Sequence, residues 1–418
     1  MRIGVVGLGY VGTPTAVVLA DQGYKVVGVD IDKRKVNLLS RGVSPIHEPG
    51  LEDLLRRNLN RLRFTTDYSE LKGCDVVFLA VLTPSKPSGE IDLSYVFDAA
   101  RRLVDVGYDG IIVIKSTVVP GTAKKVEELT GLPVVSNPEF LREGNAIHDT
   151  LHPDRIVIGS RDKRAGDVVE EIWSFTKAPV IRTTPENAEL IKYAANAFLA
   201  VRLSFINEIA NLCERIEDCD VEVVARGIGL DKRIGPHYLK AGLGYGGSCL
   251  PKDTRAITFF ARQLGEPLTI VEAAMRVNEE RIARVVRMAE EFIGSLRGRK
   301  IAVLGLAFKE NTDDVRESQA IKLVKALKEK GAIVKAYDPV ALDNALKIVE
   351  FIPARSLEEC IKDSDLVIIA TGWSEFREKI NEELLLRGGV KALIDARRTL
   401  DPKAFSKVKF KAIGLYTK

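Results

Sequence analysis

The chain is poor in the residues that build disulfide and metal scaffolds. Its 418 residues include five cysteines and four histidines. The cysteines (Cys74, Cys213, Cys219, Cys249 and Cys360) are odd in number and irregularly spaced, which argues against a secreted disulfide framework. There is no CxxC pair and no Cys/His cluster of zinc spacing, so no metal site is expected. His47, His148, His152 and His237 are scattered; His148 and His152 are four apart, but Pro153 follows at once and the pair reads as part of a loop. No apolar run reaches the ~18 to 20 residues of a membrane span. Charge of one sign is also scarce: 62 Lys+Arg against 58 Asp+Glu leave +4, too little to attract nucleic acid or an anionic membrane. Met1 runs straight into a strand pattern and leaves no room for a signal peptide, so the expectation is a cytoplasmic protein. Apolar residues are plentiful at 46%, and the length asks for two or three domains.

Residues 2–6 read as a buried strand. Gly7-Leu8-Gly9-Tyr10-Val11-Gly12 follows and opens a helix; a second strand at residues 25–29 ends at Asp30. Strand, GxGxxG, helix, strand and acid about twenty residues on make the dinucleotide fingerprint in its required context. Gly7 makes the tight turn, Gly9 lets backbone approach a pyrophosphate, and Gly12 lets helix and strand pack closely. The pyrophosphate then meets free N–H groups at the helix N-terminus. Asp30 would take ribose hydroxyls and disfavour a 2′-phosphate, so NAD is expected over NADP. The alternation continues with strands at residues 75–81, 110–115 and 133–136 and helices at 92–106 and 121–130. Thr83, Thr117 and the segment Asn137-Pro138-Glu139-Phe140-Leu141-Arg142-Glu143-Gly144 fall beyond strand carboxyl ends, where open parallel sheets bind ligands. Pro138 and Gly144 predict a loop there.

A helix is predicted from residue 185 to about 217, with Thr184 as N-cap and Pro185 at the first helical position. It is apolar on several sides, which makes it a spine between lobes and a subunit contact. Lys192, Asn196 and Asn207 share one of its faces and are expected to line a polar cleft. Near mid-chain stands Gly242-Leu243-Gly244-Tyr245-Gly246-Gly247-Ser248-Cys249-Leu250-Pro251-Lys252-Asp253. Its glycines allow close backbone approach. Its thiol, with a cation and a carboxylate just after it, has the composition of an activated nucleophile. From residue 299 the strand–helix alternation returns. Residues 300–306, 332–338 and 365–370 resemble residues 2–8, 24–30 and 75–80, but Gly305-Leu306-Ala307 lacks the second fingerprint glycine. The second lobe is therefore expected to be Rossmann-like and poorly suited to a dinucleotide.

Together GYGGSCLPKD (244–253), NPEFLREG (137–144), LGLAFKENTDDVRES (304–318) and the amino-terminal GLGYVG resemble the UDP-glucose/GDP-mannose dehydrogenase family over essentially the whole chain. The resemblance implies an α/β protein with two Rossmann-like doubly wound domains joined by a central helical dimerisation domain, divided at residues 1–184, 185–296 and 297–418. It implies oxidation of the C6 hydroxymethyl of a nucleotide sugar to a carboxylate, with two NAD reduced. Cys249 would capture the aldehyde as a thiohemiacetal that is oxidised to a thioester and hydrolysed. Lys192 would stabilise the alkoxide or oxyanion, Asn196 would orient this group, Asp253 would support water activation, Thr117 would position a water, and Glu139 would act in acid/base catalysis of hydrolysis. Substrate contacts carry over to Glu139, Phe140, Leu141 and Arg142, largely through backbone, and to Lys192, Asn196, Tyr245, Gly246, Phe308, Lys309 and Arg397, with Arg398 as the alternative to the last. Arg233 matches an arginine supplied by the partner subunit, so a homodimer or higher homo-oligomer is implied. NAD contacts carry over to Gly7, Gly9, Tyr10, Val11, Gly12, Asp30, Lys35, Thr83, Thr117, Glu143 and Arg316. Leu82 stands where a polar residue is expected and would slightly change contacts at the nicotinamide end.

His47-Glu48-Pro49-Gly50-Leu51 and Leu151-His152-Pro153-Asp154-Arg155-Ile156-Val157 look most like the UDP-glucose branch, with GDP-mannose and UDP-N-acetylmannosamine as alternative sugars. A two-electron hydroxyacid dehydrogenase would also share the first lobe but would leave Cys249 and the second lobe idle. A nucleotide sensor without turnover would leave the Cys249, Lys192 and Asp253 set unexplained.

Overall fold

In the first lobe, runs of β-branched and aliphatic residues become strands covered on both faces. The computed structural model describes residues 1–417. The first sheet holds β1 (Arg2–Val6), β2 (Lys25–Val29), β3 (Leu62–Thr65), β4 (Val76–Leu79), β5 (Ile111–Ile114), β6 (Val134–Ser136), β7 (Ile156–Ser160) and β8 (Val180–Thr183). Their order is β3-β2-β1-β4-β5-β6-β7-β8. Pairing is parallel except between β6 and β7. Alternate residues feed two cores, one on each face. Ile3, Val5, Phe78, Val113 and Val135 pack on one side; Val6, Val77, Leu79, Ile112, Ile114 and Val134 pack on the other. Two covered faces explain why these strands read as continuous apolar runs.

The second sheet holds β9 (Lys300–Leu304), β10 (Ile333–Tyr337), β11 (Ile352–Pro353), β12 (Leu366–Ile369), β13 (Ala392–Asp395) and β14 (Lys409–Ala412). It is parallel throughout, in the order β11-β10-β9-β12-β13-β14. Both sheets thus contain the doubly wound arrangement with its order reversal between the first and fourth strands of the lobe. The internal repeat extends to single hydrogen bonds. Gly7 N donates to Val29 O at 2.8 Å, and Gly305 N to Tyr337 O at 2.8 Å. Leu8 N donates to Asp30 Oδ2 at 2.7 Å, and Leu306 N to Asp338 Oδ2 at 2.7 Å.

The long helix spans Pro185–Cys213, with Asn187 N donating to Thr184 Oγ1 at 3.3 Å as the cap requires. It ends four residues before the expected position. Two strands at the far edge of the first sheet, β7 and β8, go beyond the sequence reading. His148 is also placed differently: it lies on the helix Ala146–Leu151, with His152 just after it and the two rings 5.2 Å apart. That helix starts because Glu48, about a hundred residues earlier, accepts from Gly144 N at 2.8 Å and Ala146 N at 2.7 Å. Among the described residues no group of three or more His, Cys, Asp or Glu is set to hold a metal ion, and no helix is long and apolar enough to cross a membrane. The chain folds into two compact units, residues 1–195 with 255–265, and residues 196–254 with 266–418.

Candidate active site

In the first unit the fingerprint has the shape a dinucleotide needs. A Cβ on Gly12 would lie 1.8 Å from Gly7 O, so only glycine lets the helix Gly12–Asp21 start this close to β1. A Cβ on Gly9 would meet nothing within 4 Å, which leaves the backbone there open to a close-lying pyrophosphate. Tyr10 and Val11 complete the turn and are partly buried. Asp30 accepts from Leu8 N, Asp32 N and Lys35 Nζ at 2.7, 2.9 and 2.8 Å. Three donors on a carboxylate with about four acceptor positions leave room for a ribose hydroxyl. Asp338, its counterpart, takes five: Leu306 N, Ala307 N and Trp373 Nε1 on one oxygen, Val340 N and Ala341 N on the other. The residues of the first lobe fit NAD; the second cradle is filled by the protein itself. Thr83 is buried, and Leu82 beside it is 67% exposed.

Thr117, Glu139 and Lys192 are brought together in this unit. Lys192 does not reach solvent: its Nζ is 3.0 Å from Glu139 Oε1, with the two side chains 4% and 6% exposed. Burial pushes the Glu139 carboxyl up, but Lys192, the Leu141 N–H and Lys115 more than offset this and hold it below the usual carboxylate range. Lys192 also faces the Phe140 ring, whose centroid is 5.4 Å away, while the Arg155 guanidinium stacks on that ring at 3.6 Å. A small cavity is lined by Thr117, Ser136, Pro138, Glu189 and Lys192. A second, of about 120 Å³, is lined by Lys115, Glu139, Phe140, Leu141 and Arg142 with His148, His152 and Arg155.

Two backbone N–H groups of the loop are engaged within the protein. Leu141 N already donates to Glu139 Oε2 at 2.6 Å, and Arg142 N to Asp149 Oδ2 at 2.9 Å. Arg142 O in turn accepts from Asn145 N at 2.9 Å. The Arg142 side chain is likewise paired with Asp149, and Glu143 lies partly buried beyond it.

In the second unit, Cys249 is the residue immediately before the helix Leu250–Gln263. That position puts its sulfur at the positive end of a helix, where a thiolate is stabilised. Ser248 Oγ lies 3.4 Å from the sulfur, and Asp253 N donates to Cys249 O at 2.8 Å. One turn on, the fully buried Asp253 carboxylate takes Lys252 Nζ at 2.5 Å and Asn196 Nδ2 at 2.6 Å. The preceding glycine stretch is clamped. A Cβ on Gly246 would sit 2.3 Å from Glu317 O, and one on Gly247 would sit 2.6 Å from the Phe308 ring. Asn278 and Gln319 bind the backbone of Tyr245, whose side chain is largely buried.

Asn207 departs from expectation: it lines no cleft but accepts from Gly242 N at 2.9 Å, anchoring the start of that stretch. Arg397 and Arg398 turn to different parts of this unit. Arg397 donates to Gly244 O at 2.9 Å and Ala370 O at 2.7 Å, whereas Arg398 pairs with Asp220. Burial, and then the neighbouring Arg281, pull Arg397 down to about 10. Lys309 Nζ sits 5.7 Å from the Phe308 ring centroid, Arg316 pairs with Asp314, and Arg233 is 89% exposed and held by Asp231.

Two residues of the first unit escaped the sequence reading. Lys115 is buried, contacts Asn137 Oδ1 at 3.2 Å and lies over the Trp173 ring at 4.6 Å. Burial and repulsion from Lys192 pull it down to about 8, against the attraction of Glu139. Its place at a strand carboxyl end was the available signal. Glu189 lies one turn before Lys192 on the same helix, and that spacing was its signal.

The chain matches the UDP-glucose/GDP-mannose dehydrogenase family in three segments: the NAD binding domain over residues 1–177, the central domain over 186–280 and the UDP binding domain over 302–402. UDP-glucose 6-dehydrogenase TuaD of Bacillus subtilis is 46% identical over 95% of this chain and 89% of its own length. The UDP-glucose 6-dehydrogenase of Rhizobium meliloti is 46% identical over 95% of both. A UDP-glucose dehydrogenase structure from Pyrobaculum islandicum superposes with a TM-score of 0.91 at 40% identity, covering 99% of this chain and 98% of that one. A UDP-D-ManNAc dehydrogenase from Pyrococcus horikoshii gives 0.88 at 32%, covering 99% of each. With the fingerprint, the thiol-bearing glycine stretch and the second doubly wound lobe all in place, these likenesses settle the assignment: the chain belongs to the UDP-glucose/GDP-mannose dehydrogenase family.

Proposed function

We propose that the chain oxidises the C6 hydroxymethyl of UDP-glucose to the carboxylate of UDP-glucuronate, through a covalent intermediate on Cys249. The observation that carries this reading is the thiol at a helix N-terminus one turn before a buried, doubly bonded carboxylate. NAD held at the first fingerprint supplies the hydride acceptor for each oxidation. Lys192 stabilises the alkoxide as the C6 hydroxyl gives up its proton. Loss of one C6 hydrogen as hydride leaves the aldehyde; the Cys249 thiolate then adds to its carbon, forming a C–S bond and a thiohemiacetal oxyanion that Lys192 again stabilises. Loss of the remaining C6 hydrogen as hydride leaves a thioester. Water, positioned by Thr117 and Asp253, adds to that carbon and expels the thiolate, and Glu139 takes up and returns the protons. Asn196 fixes Asp253 through its 2.6 Å bond.

UDP-glucose is favoured because the 46% identical relatives bear that substrate in their names, against 32% for the UDP-D-ManNAc dehydrogenase. NADH counting tests the reading. Two NADH per UDP-glucose are expected, with little turnover of GDP-mannose or UDP-N-acetylmannosamine. Run with NADP, the same assay should show a much lower kcat/KM, since Asp30 repels a 2′-phosphate. One NADH per sugar would point to a simple alcohol dehydrogenase.

We also propose a dimer. Phe198, Phe205 and Leu212 recur every seven residues along the long helix and are 61%, 49% and 56% exposed. Such a stripe calls for a covering surface. Arg233, 89% exposed and paired with Asp231, would then exchange that partner to reach the neighbouring subunit's sugar site. Light scattering at assay concentration should give at least a dimer, and a fully active monomer would exclude this arrangement.

A further inference from the structure

We infer that Glu189 is a positioning residue for this reaction: a buried cap that ties together the three segments carrying Thr117, Glu139 and Lys192. The inference rests on the reading that these three act in catalysis. Glu189 is 3% exposed. Its Oε2 accepts from Gly121 N at 2.6 Å, and its Oε1 from Ala123 N at 2.8 Å and Ser136 Oγ at 3.2 Å. Gly121 precedes the helix Thr122–Thr130 and has no side chain with which to cap it, so a carboxylate from another helix satisfies the orphan N–H groups.

Each bond leads to a reactive group. Gly121 ends the short loop that begins at Thr117. Ser136 is the last residue of β6, three before Glu139. Lys192 is the next turn of the helix that bears Glu189. Thr117, Ser136, Glu189 and Lys192 line one small cavity.

A carboxylate accepts from all three donors; an amide turns one of the two positions into an N–H donor facing a backbone N–H, and a protonated acid is a weaker acceptor that must turn its own O–H toward the Ser136 hydroxyl. The charged groups around Glu189 are Glu186 one turn earlier, Lys192 one turn later and, beyond Lys192, its partner Glu139. On the capped helix, Lys124 and Lys125 are exposed. Burial pushes the Glu189 carboxyl up to about 7, the Ala123, Gly121 and Ser136 donors hold it down in part, and Glu186 adds to the rise. The carboxylate form therefore dominates above neutrality, and kcat should rise with pH through about 7.

The test is the pH profile of kcat for the full-length enzyme with UDP-glucose and NAD, alongside melting curves and NAD titrations. In Glu189→Gln, kcat should fall by roughly 10- to 10²-fold, as misplacement of reacting groups does. The acid limb near neutrality should vanish while NAD affinity is kept. Ser136→Ala removes one donor to the charged form, so its limb should move to higher pH; this variant decides the matter if Glu189→Gln does not fold. Wild-type kcat with the limb intact in Glu189→Gln, or an unmoved limb in Ser136→Ala, would overturn the inference. Lys192→Ala, run in parallel, separates the two levels: if it kept full activity, the underlying reading of the site would fail, whatever Glu189 does.

Discussion

Cys249→Ser should halt the enzyme between alcohol and acid. The exchange is nearly isosteric at a half-buried position whose backbone is held by Asp253 N, so the fold and both ligand sites should survive. A serine hydroxyl is a far weaker nucleophile at neutral pH, and removing a covalent nucleophile costs roughly 10³-fold or more in rate. At most one NADH per UDP-glucose should form, and mass spectrometry after incubation with substrate and NAD should show either free aldehyde or a long-lived adduct. Production of the uronic acid at near-normal rate would remove the thiol from the mechanism. Selective alkylation provides a companion measurement. Burial pushes Cys74 up to about 11 and Cys360 up to about 12, and burial with the neighbouring Cys219 pushes Cys213 up to about 12. These three should react slowly, and substrate should protect Cys249.

Lys192→Ala should lower kcat by roughly 10²-fold or more, the cost of losing a fixed cation aimed at developing negative charge. It also strips Glu139 of its 3.0 Å partner inside the protein, and breaking a buried pair from one side costs about 3–5 kcal/mol. Lys115 stands close enough to Glu139 to recover part of that loss. Lys192→Met combined with Glu139→Gln separates the two effects. The neutral pair should regain much of the melting temperature and none of the activity. The pH dependence has a fixed sign. A carboxyl held below its ordinary range stabilises the fold above that range, and the contribution is lost as pH falls through the folded value. Acid should therefore destabilise the wild type more than the neutral pair; equal loss in both would mean that the ion pair contributes nothing to the fold.

Both lobes were legible because their signals are local. Gly7 to Asp30 is one strand–turn–helix–strand unit, and its repeat from residue 300 could be aligned residue by residue. The features that escaped depend on residues far apart in the chain. The helix carrying His148 is started by Glu48, and periodicity cannot see a cap a hundred residues away. Asn207 was placed on the correct face, yet a face does not say what it meets; it meets the amide of Gly242. Arg397 and Arg398 are consecutive and chemically identical. Only the backbone separates them, since Arg398 adopts φ 52° and turns to Asp220 while Arg397 turns to Gly244. Glu189 stood in plain view one turn from Lys192, but nothing in its own helix shows that it serves the N-terminus of another.

An enzyme built from two similar lobes faces a problem of misloading, because a cradle that binds the cofactor once could bind it twice. The five donors gathered on Asp338 remove that hazard. In the first lobe the equivalent carboxylate keeps one acceptor position in reserve; in the second, every position is already taken by the protein's own backbone and an indole. The duplicated motif survives as masonry, and the second lobe is released to recognise a different nucleotide without competing for the first one's ligand.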